Sequence, residues 1–139
     1  MVRRSLVAFT VALLCAASRI GADASPEKAG EAAARSWLTL VDAGKYGESW
    51  DAAASAFRAA LTRSQWESAL DQVRKPLGKV VSRSLKVAKY TTEVPNALAG
   101  EYVVLQFDTS FENRPSAVET VTPMKEKDGT WKVSGYFIR

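Results

Sequence analysis

The chain has 139 residues, a length that suffices for one domain, and it carries a formal net charge of +4 at pH 7. It contains one cysteine and no histidine. These counts exclude histidine general bases, Ser-His-Asp triads and His-Cys metal sites, and we predict neither a metal nor a cofactor. A charge this small does not by itself indicate a polyanionic partner, and we do not predict a nucleic-acid partner.

The first 24 residues have the pattern of a cleaved secretory signal peptide. Arg3 and Arg4 precede an apolar run over residues 6–17, and residues 22–24 (ADA) have the small-x-small pattern that signal peptidases cut. The run is shorter than the roughly 20 apolar residues that a membrane-spanning helix requires. We therefore interpret it as a removed signal rather than a retained anchor, with no transmembrane segment after cleavage.

The signal peptide also decides the expected location and domain organisation. Cys15 follows Leu14, where a lipoprotein cleavage site requires a small residue, so the sequence disfavours lipidation. We predict an exported protein, periplasmic or secreted, with a signal peptide at residues 1–24 and a single domain at residues 25–139. This mature chain has no cysteine, so its stability must come from packing rather than from disulfides.

Three amphipathic helices are predicted in the first half of that domain. Ser25 is an N-cap before a proline at the first helical position, and Gly44 ends this helix. The second helix begins near Gly47. The third begins at Thr62, which has capping-box spacing, and ends at Pro76. Each helix carries apolar residues at the spacing of one helical face.

One tryptophan lies on the apolar stripe of each predicted helix, namely Trp37, Trp50 and Trp66. We interpret these as core residues that pack against a sheet, because large aromatic side chains are usually buried. A sugar-binding platform of exposed aromatic rings is the alternative.

The second half of the chain predicts a four-stranded antiparallel meander. Residues 80–92 are rich in Val, Thr and Tyr and form the first strand. Residues 101–111 alternate, with Phe107 on an apolar face and Gln106 on the opposite face, and residues 118–139 form a hairpin. Helices that precede strands indicate the α+β class, with three N-terminal helices packed on one face of the sheet.

The final hairpin turns at the Asp-Gly pair of residues 128–129, the strongest hairpin signal in the chain. A two-residue loop would bring Lys125 opposite Lys132, a pair of like charges. A three-residue loop, with the glycine in the left-handed conformation, would instead place Glu119 opposite Phe137 on the apolar face. We favour the three-residue loop, although turn chemistry leaves both registers open.

Between Gln72 and Thr92 the chain has six basic residues and no acidic one. These are Arg74, Lys75, Lys79, Arg83, Lys86 and Lys89. A strip that binds anionic surface polymers or headgroups is one interpretation. We favour the other, an edge strand that lysines protect from pairing with further chains.

Seven short motifs follow one another along the predicted domain. They are YGESW at 46–50, FR at 57–58, RKPLG at 74–78, GEY at 100–102, FDT at 107–109, ETV at 119–121 and DGTWKVSGY at 128–136. Their order resembles that of the domain of unknown function 4019 family of small exported bacterial proteins. The resemblance implies a cystatin-like or nuclear-transport-factor-2-like cone fold, in which helices pack on a curved antiparallel sheet. It implies no activity, because that family has none assigned and such folds host enzymes, ligand binders and dimerisation modules alike.

The first functional hypothesis is a non-enzymatic binding module. Its candidate ligand-binding residues are Tyr102, Gln106, Asp108 and Tyr136, which strand alternation places on the sheet face opposite the helices. The partner is a small ligand, held there or in a cleft between helices and sheet, or another envelope protein, and a homodimer remains open. An ordinary solvated face explains the same residues equally well.

The alternative hypothesis is a cone-fold enzyme that transfers protons in an apolar pocket. Glu119 is the candidate base, because a buried carboxylate binds a proton more readily, and Tyr90 or Tyr136 is the candidate donor. A partner such as Arg58 or Arg83 would instead make Glu119 part of a structural ion pair. A cation beside this carboxylate therefore argues against catalysis.

Overall fold

The computed structural model describes residues 24–139, so the predicted signal peptide lies outside the described residues except for Ala24. Within that range, helices precede an antiparallel sheet, and the predicted α+β class is confirmed. The helices are α1 (Pro26–Asp42), α2 (Tyr46–Asp51), α3 (Ser55–Ala60) and α4 (Arg63–Val73), followed by a short 3-10 turn at Lys75–Leu77. The strands are β1 (Val80–Thr91), β2 (Tyr102–Phe111), β3 (Arg114–Lys125) and β4 (Trp131–Ile138).

Local capping interactions begin the two longest helices, as predicted. The Ser25 hydroxyl accepts a hydrogen bond from the Lys28 N–H at 3.3 Å at the start of α1. At the start of α4, the Thr62 hydroxyl accepts from the Gln65 N–H at 3.1 Å, and the Gln65 side chain accepts from the Thr62 N–H at 2.9 Å. This reciprocal pair is a capping box, and it satisfies two backbone donors that a helix start leaves free.

The second predicted helix is in fact two short helices, α2 and α3. The chain becomes extended at Ala54, whose N–H donates to the Val133 carbonyl oxygen of β4 at 2.8 Å. Ala53 and Ala54 are both completely buried, because the connection between the helices lies directly against that strand. A hydrogen bond to a distant strand therefore interrupts a segment whose local pattern favours one continuous helix.

The four strands pair antiparallel in the order β1-β2-β3-β4, so the predicted meander is confirmed. Val103 and Phe107 of β2 are completely buried under the helices, whereas Gln106 on the opposite face is only half-buried. Helix α1 crosses β2 so closely that a Cβ at Gly30 would lie 2.7 Å from the Val103 Cβ. This close approach explains a glycine in the middle of a long helix.

The basic segment does not form one continuous strip. Arg74 is buried and Arg83 binds the buried carboxylate of Glu119, whereas the four lysines of the segment are exposed. Strand β1 lies at the edge of the sheet, as we predicted, and it carries an extra residue at Lys86 where its register with β2 shifts. Lysines and a bulge both protect an exposed edge against pairing.

A buried serine joins two of the helix tryptophans. The Ser49 hydroxyl accepts a hydrogen bond from Trp66 Nε1 at 2.9 Å, and the Ser49 carbonyl oxygen accepts from Trp37 Nε1 at 2.8 Å. Both rings belong to the core, and the half-buried Trp50 packs against it. These tryptophans are therefore packing residues, as predicted, rather than an exposed platform.

Replacing Thr62 by Ala should lower the free energy of unfolding by about 1 kcal/mol, because it removes the acceptor of the capping box. Urea unfolding followed by tryptophan fluorescence measures this change. Ser64→Ala is the matched control, since Ser64 is an exposed residue of the same helical turn. Its effect should stay within about 0.5 kcal/mol, and equal losses in the two variants would contradict the prediction.

Candidate functional site

A cleft of about 520 Å³ opens between helices α3 and α4, the loop of residues 92–101 and strands β2 to β4. We call it the apolar cleft. Its lining residues are Ala56, Phe57, Ala60, Leu61, Trp66, Asn96, Ala97, Leu98, Tyr102, Met124, Ser134, Gly135 and Tyr136. Phe57 and Trp66 meet edge to face, with ring centroids 4.9 Å apart, and Tyr136 lies 6.5 Å from Trp66. Aromatic rings thus form much of its wall.

The loop of residues 92–101 forms one side of the apolar cleft and buries a residue that we predicted to be exposed. The Tyr102 hydroxyl donates to the Leu98 carbonyl oxygen at 2.5 Å, and Tyr102 is only 3 % exposed. Its predicted place on a solvated sheet face is therefore wrong, because the loop folds back over it. Leu98 itself is 69 % exposed and lines the opening of the cleft.

A bulge in β4 directs Tyr136 into the interior, which also differs from our prediction. The three-residue loop at 127–129 is present, with Gly129 at a positive φ of 85° and Lys125 paired with Trp131. The register then shifts by one residue at Ser134, so that Tyr136, rather than Gly135, pairs with Val121. The bulge reverses the two faces of the strand beyond it: Phe137 becomes 55 % exposed and Tyr136 faces the core.

The other two candidate ligand-binding residues lie elsewhere. Asp108 is exposed, and its carboxylate is 3.9 Å from the Lys86 ammonium. Gln106 is half-buried on the sheet face opposite the helices. Neither residue lines the apolar cleft, so the structure brings together Tyr102 and Tyr136 of the predicted set and separates both from Gln106 and Asp108.

Glu119 is completely buried on the inner face of β3, and three side chains bind its carboxylate. Arg83 Nε donates to Oε1 at 2.7 Å, and the Thr109 hydroxyl donates to the same oxygen at 2.6 Å. The Tyr136 hydroxyl donates to Oε2. Tyr90, the other candidate donor, instead binds Glu101 at 2.9 Å. A cation thus lies directly against Glu119, the arrangement that argues against a catalytic base.

The same arginine links Glu119 to a second carboxylate on a helix. Arg83 Nη1 donates to Asp42 Oδ2 at 2.8 Å, and Arg74 Nη2 donates to Asp42 Oδ1 at 3.0 Å. The Arg74 guanidinium also lies 4.5 Å from the centroid of the Phe111 ring, a cation–π contact. We call Asp42, Arg74, Arg83 and Glu119 the charge network. It contains two cations and two anions and is therefore neutral.

The charge network shifts the pKa of Asp42, one of its members, and of Tyr136, which donates to Glu119. Burial alone would raise the pKa of Asp42, but Arg83 and then Arg74 outweigh it, so that this pKa lies below the ordinary value of 3.8. Burial and the Glu119 carboxylate together raise the pKa of Tyr136 above its ordinary value. Tyr136 therefore stays protonated and continues to donate to Glu119 throughout the neutral range.

Sequence reasoning missed most of the apolar cleft. It identified Trp66 only as a packing residue of a helix, and it predicted no contact between the helices and the segment from Val94 to Gly100. One signal was present in that segment, because Leu98 is a large apolar residue that lies between the turn residues Pro95, Asn96 and Gly100. Contact between the loop and α3, however, depends on how the strands place the loop.

The helices and the antiparallel sheet define an α+β protein, in which an open cleft lies between the helix layer and the strands. A family model described as protein of unknown function (DUF4019) matches residues 33–136, and the chain belongs to this family. A search of curated proteins found no match. None of the helices described for residues 24–139 has the length and apolar character needed to cross a membrane.

Replacing Glu119 by Gln should lower the free energy of unfolding by about 3 kcal/mol, because Arg83 would keep its buried charge and lose a carboxylate. The double variant Glu119→Gln/Arg83→Met should lose less than the sum of the two single variants, since it removes both charges. Urea unfolding measures the four free energies. Additive losses would contradict this coupling. As a control, Glu67→Gln breaks an exposed pair with Arg63 and should cost less than about 0.5 kcal/mol.

The lowered pKa of Asp42 makes its contribution to stability depend on pH. A carboxylate whose folded pKa is depressed stabilises the fold above its unfolded pKa and loses that contribution as pH falls through the folded pKa. Asp42→Asn should therefore cost about 2 kcal/mol near pH 6, and the deficit should shrink as pH falls below about 4. Urea unfolding over this range measures the deficit. The exposed Asp108→Asn serves as control, and a deficit for Asp42→Asn that does not change with pH would contradict the assignment.

Proposed function

We propose that this protein is a non-enzymatic binding module whose apolar cleft holds a small molecule. The cleft carries the proposal. Its volume of about 520 Å³ falls within the range of roughly 300–1,000 Å³ that small-molecule sites occupy. It is concave, open at the exposed Leu98 and walled by aromatic and aliphatic side chains, which is the usual composition of such sites.

The shape of the site favours a small molecule over a large protein surface. A protein interface of ordinary size buries about 800 Å² on each partner and is broadly flat, whereas the apolar cleft recedes between two layers of the fold. Tyr102 and Tyr136, both candidate ligand-binding residues, present their rings to it. The exposed Phe137 of β4 does not line the apolar cleft.

The charge network supports binding rather than catalysis. Glu119 does not line the apolar cleft, and both of its carboxylate oxygens already accept hydrogen bonds. A general base needs a substrate proton within about 3 Å, and here the Tyr136 side chain lies between this carboxylate and the cleft. The network therefore acts in this proposal as a support for the wall of the site.

We propose further that the protein acts after export. The support is the N-terminal pattern of Arg3, Arg4, the apolar run at residues 6–17 and the small residues at 22–24. Cleavage after Ala24 would leave residues 25–139 as the mature protein in the periplasm or outside the cell.

A substitution that fills the apolar cleft should abolish binding without disturbing the fold. Ala60 lines the cleft and is exposed, so Ala60→Trp adds an indole to the site and leaves the core intact. N-phenyl-1-naphthylamine is a suitable neutral probe, because its fluorescence rises in apolar sites. The wild-type protein should bind it, and Ala60→Trp should weaken binding at least ~10-fold, equivalent to about 1.4 kcal/mol.

The matched control is Ala59→Trp, which places the same side chain at the preceding exposed residue of α3, outside the lining of the cleft. It should bind the probe as the wild-type protein does. Absence of probe binding by the wild-type protein, or an equal loss in both variants, would refute the proposed site.

A further inference from the structure

We infer that the ligand of the apolar cleft is an uncharged, largely apolar molecule with at most one strong hydrogen-bonding group. This inference rests on the proposed function and specifies the chemical class that the site accepts. The first observation is the absence of charge: no Asp, Glu, Lys or Arg is among the described residues that line the cleft. A charged group placed against this wall would lose water and gain no counter-ion, which is costly.

The second observation is that the wall has few hydrogen-bond donors to offer. Trp66 Nε1 donates to Ser49 at 2.9 Å, and the Tyr102 hydroxyl donates to the Leu98 carbonyl oxygen. The Ser134 hydroxyl donates to the Thr122 carbonyl oxygen at 2.8 Å, and the Tyr136 hydroxyl donates to Glu119. These donors are already used within the protein. A ligand that required several donors would have to break internal hydrogen bonds of the wall.

Asn96 is the remaining lining residue with a polar side chain. It is exposed on the loop of residues 92–101, so its amide can meet one polar group of the ligand at the opening while the apolar part enters the cleft. Its backbone has a positive φ of 62°, a conformation that asparagine tolerates better than most residues. One polar contact at the rim and an apolar interior suit an amphipathic but neutral molecule.

Three charged side chains near the apolar cleft contact other groups of the protein. Glu119 is bound by Arg83 behind the Tyr136 hydroxyl. Glu126 accepts a hydrogen bond from the Ser55 N–H at 2.7 Å, and Arg58 lies over the Trp50 ring at 6.0 Å. None of these three charged side chains lines the cleft, so none of them indicates an ionic group on the ligand.

A second cleft of the same protein shows the contrast. It has a volume of about 390 Å³ and lies where α1, α2 and α4 meet the start of β1. Its ionisable lining residues are Asp42, Tyr46, Asp71, Arg74, Lys75, Lys79 and Glu112. The described residues that line this second cleft thus carry both signs of charge, whereas those that line the apolar cleft carry none.

Three probes of one shape test the inference. They are 2-naphthalenemethanol, which is neutral, 2-naphthoate, which is anionic, and 2-naphthylmethylammonium, which is cationic at pH 7. Each is titrated against the wild-type protein carrying bound N-phenyl-1-naphthylamine, and its displacement is followed by fluorescence. The alcohol should bind at least ~10-fold more tightly than either ion, because only the ions must lose charge hydration. Either ion binding within tenfold of the alcohol would overturn the inference.

The outcomes of this probe test can be distinguished from the outcome for the cleft-filling variant Ala60→Trp. If Ala60→Trp abolishes binding and an ion binds as well as the alcohol, the site stands and the ligand class is wrong. If no naphthyl probe binds to the wild-type protein, or if Ala60→Trp does not weaken the binding of any of them, the proposed function itself fails.

A rim cation provides an independent check on the same inference. Leu98→Lys places an ammonium at the opening, on an exposed residue whose side chain the fold does not require. It should strengthen binding of 2-naphthoate several-fold relative to the alcohol, whereas Leu98→Gln should not. If Leu98→Lys prefers the alcohol over 2-naphthoate as strongly as the wild-type protein does, then charge at the opening does not control which ligand binds. That result would overturn the inference.

Discussion

The buried carboxylate of Glu119 imposes the constraint on which the arrangement of the fold depends. A charge with no exposure to water is tolerated only when hydrogen bonds and an opposite charge replace its hydration. Here those partners come from β1, β2 and β4, as Arg83, Thr109 and Tyr136. Arg83 continues to Asp42 at the end of α1. The hydrogen bonds to this one carboxylate, together with the ion pair between Arg83 and Asp42, therefore form only when four strands and helix α1 are in their native positions.

Tyr136 connects the buried Glu119 carboxylate to the apolar cleft. The Tyr136 hydroxyl is held by Glu119, while the ring packs edge to face on Trp37, with centroids 5.3 Å apart, and forms part of the cleft wall. One side of the cleft is thus fixed by buried hydrogen bonds. The other side is the loop of residues 92–101, which the Tyr102 hydroxyl attaches to β2. A preformed wall lowers the entropy lost when a ligand binds.

Buried ionisable groups near a cleft often indicate catalysis, but they also occur in structural networks. In this protein the position of Glu119 favours a structural role. The carboxylate of Glu119 lies behind the wall rather than in it, and its oxygens are occupied by an arginine, a threonine and a tyrosine. Helix-on-sheet architecture is shared by enzymes and binding proteins alike, so the lining of the cleft, and not the fold, indicates a function.

The amino-acid sequence by itself determined the features that depend on neighbouring residues. The capping box at Thr62 and the alternation that buries Phe107 follow from residues within a few positions of one another. For the final hairpin, the sequence favoured the three-residue loop that ends at Gly129 but left the two-residue loop open. The order of helices and strands along the chain indicated the α+β class. The family was also recognisable from short motifs, and it matches residues 33–136.

Only the tertiary structure decided the interruption at Ala54, the bulge at Ser134 and the burial of Tyr102. Ala54 bonds to a strand 79 residues later, at Val133, and the register shift at Ser134 appears only when β4 is paired with β3. The first two depend on partners that are distant in the chain, so no local pattern encodes them. Tyr102 binds the nearby Leu98, but it is buried only because this loop and the core pack around its ring. Because the side chains of a strand alternate between faces, a single extra residue moved Tyr136 from the predicted solvent face to the interior.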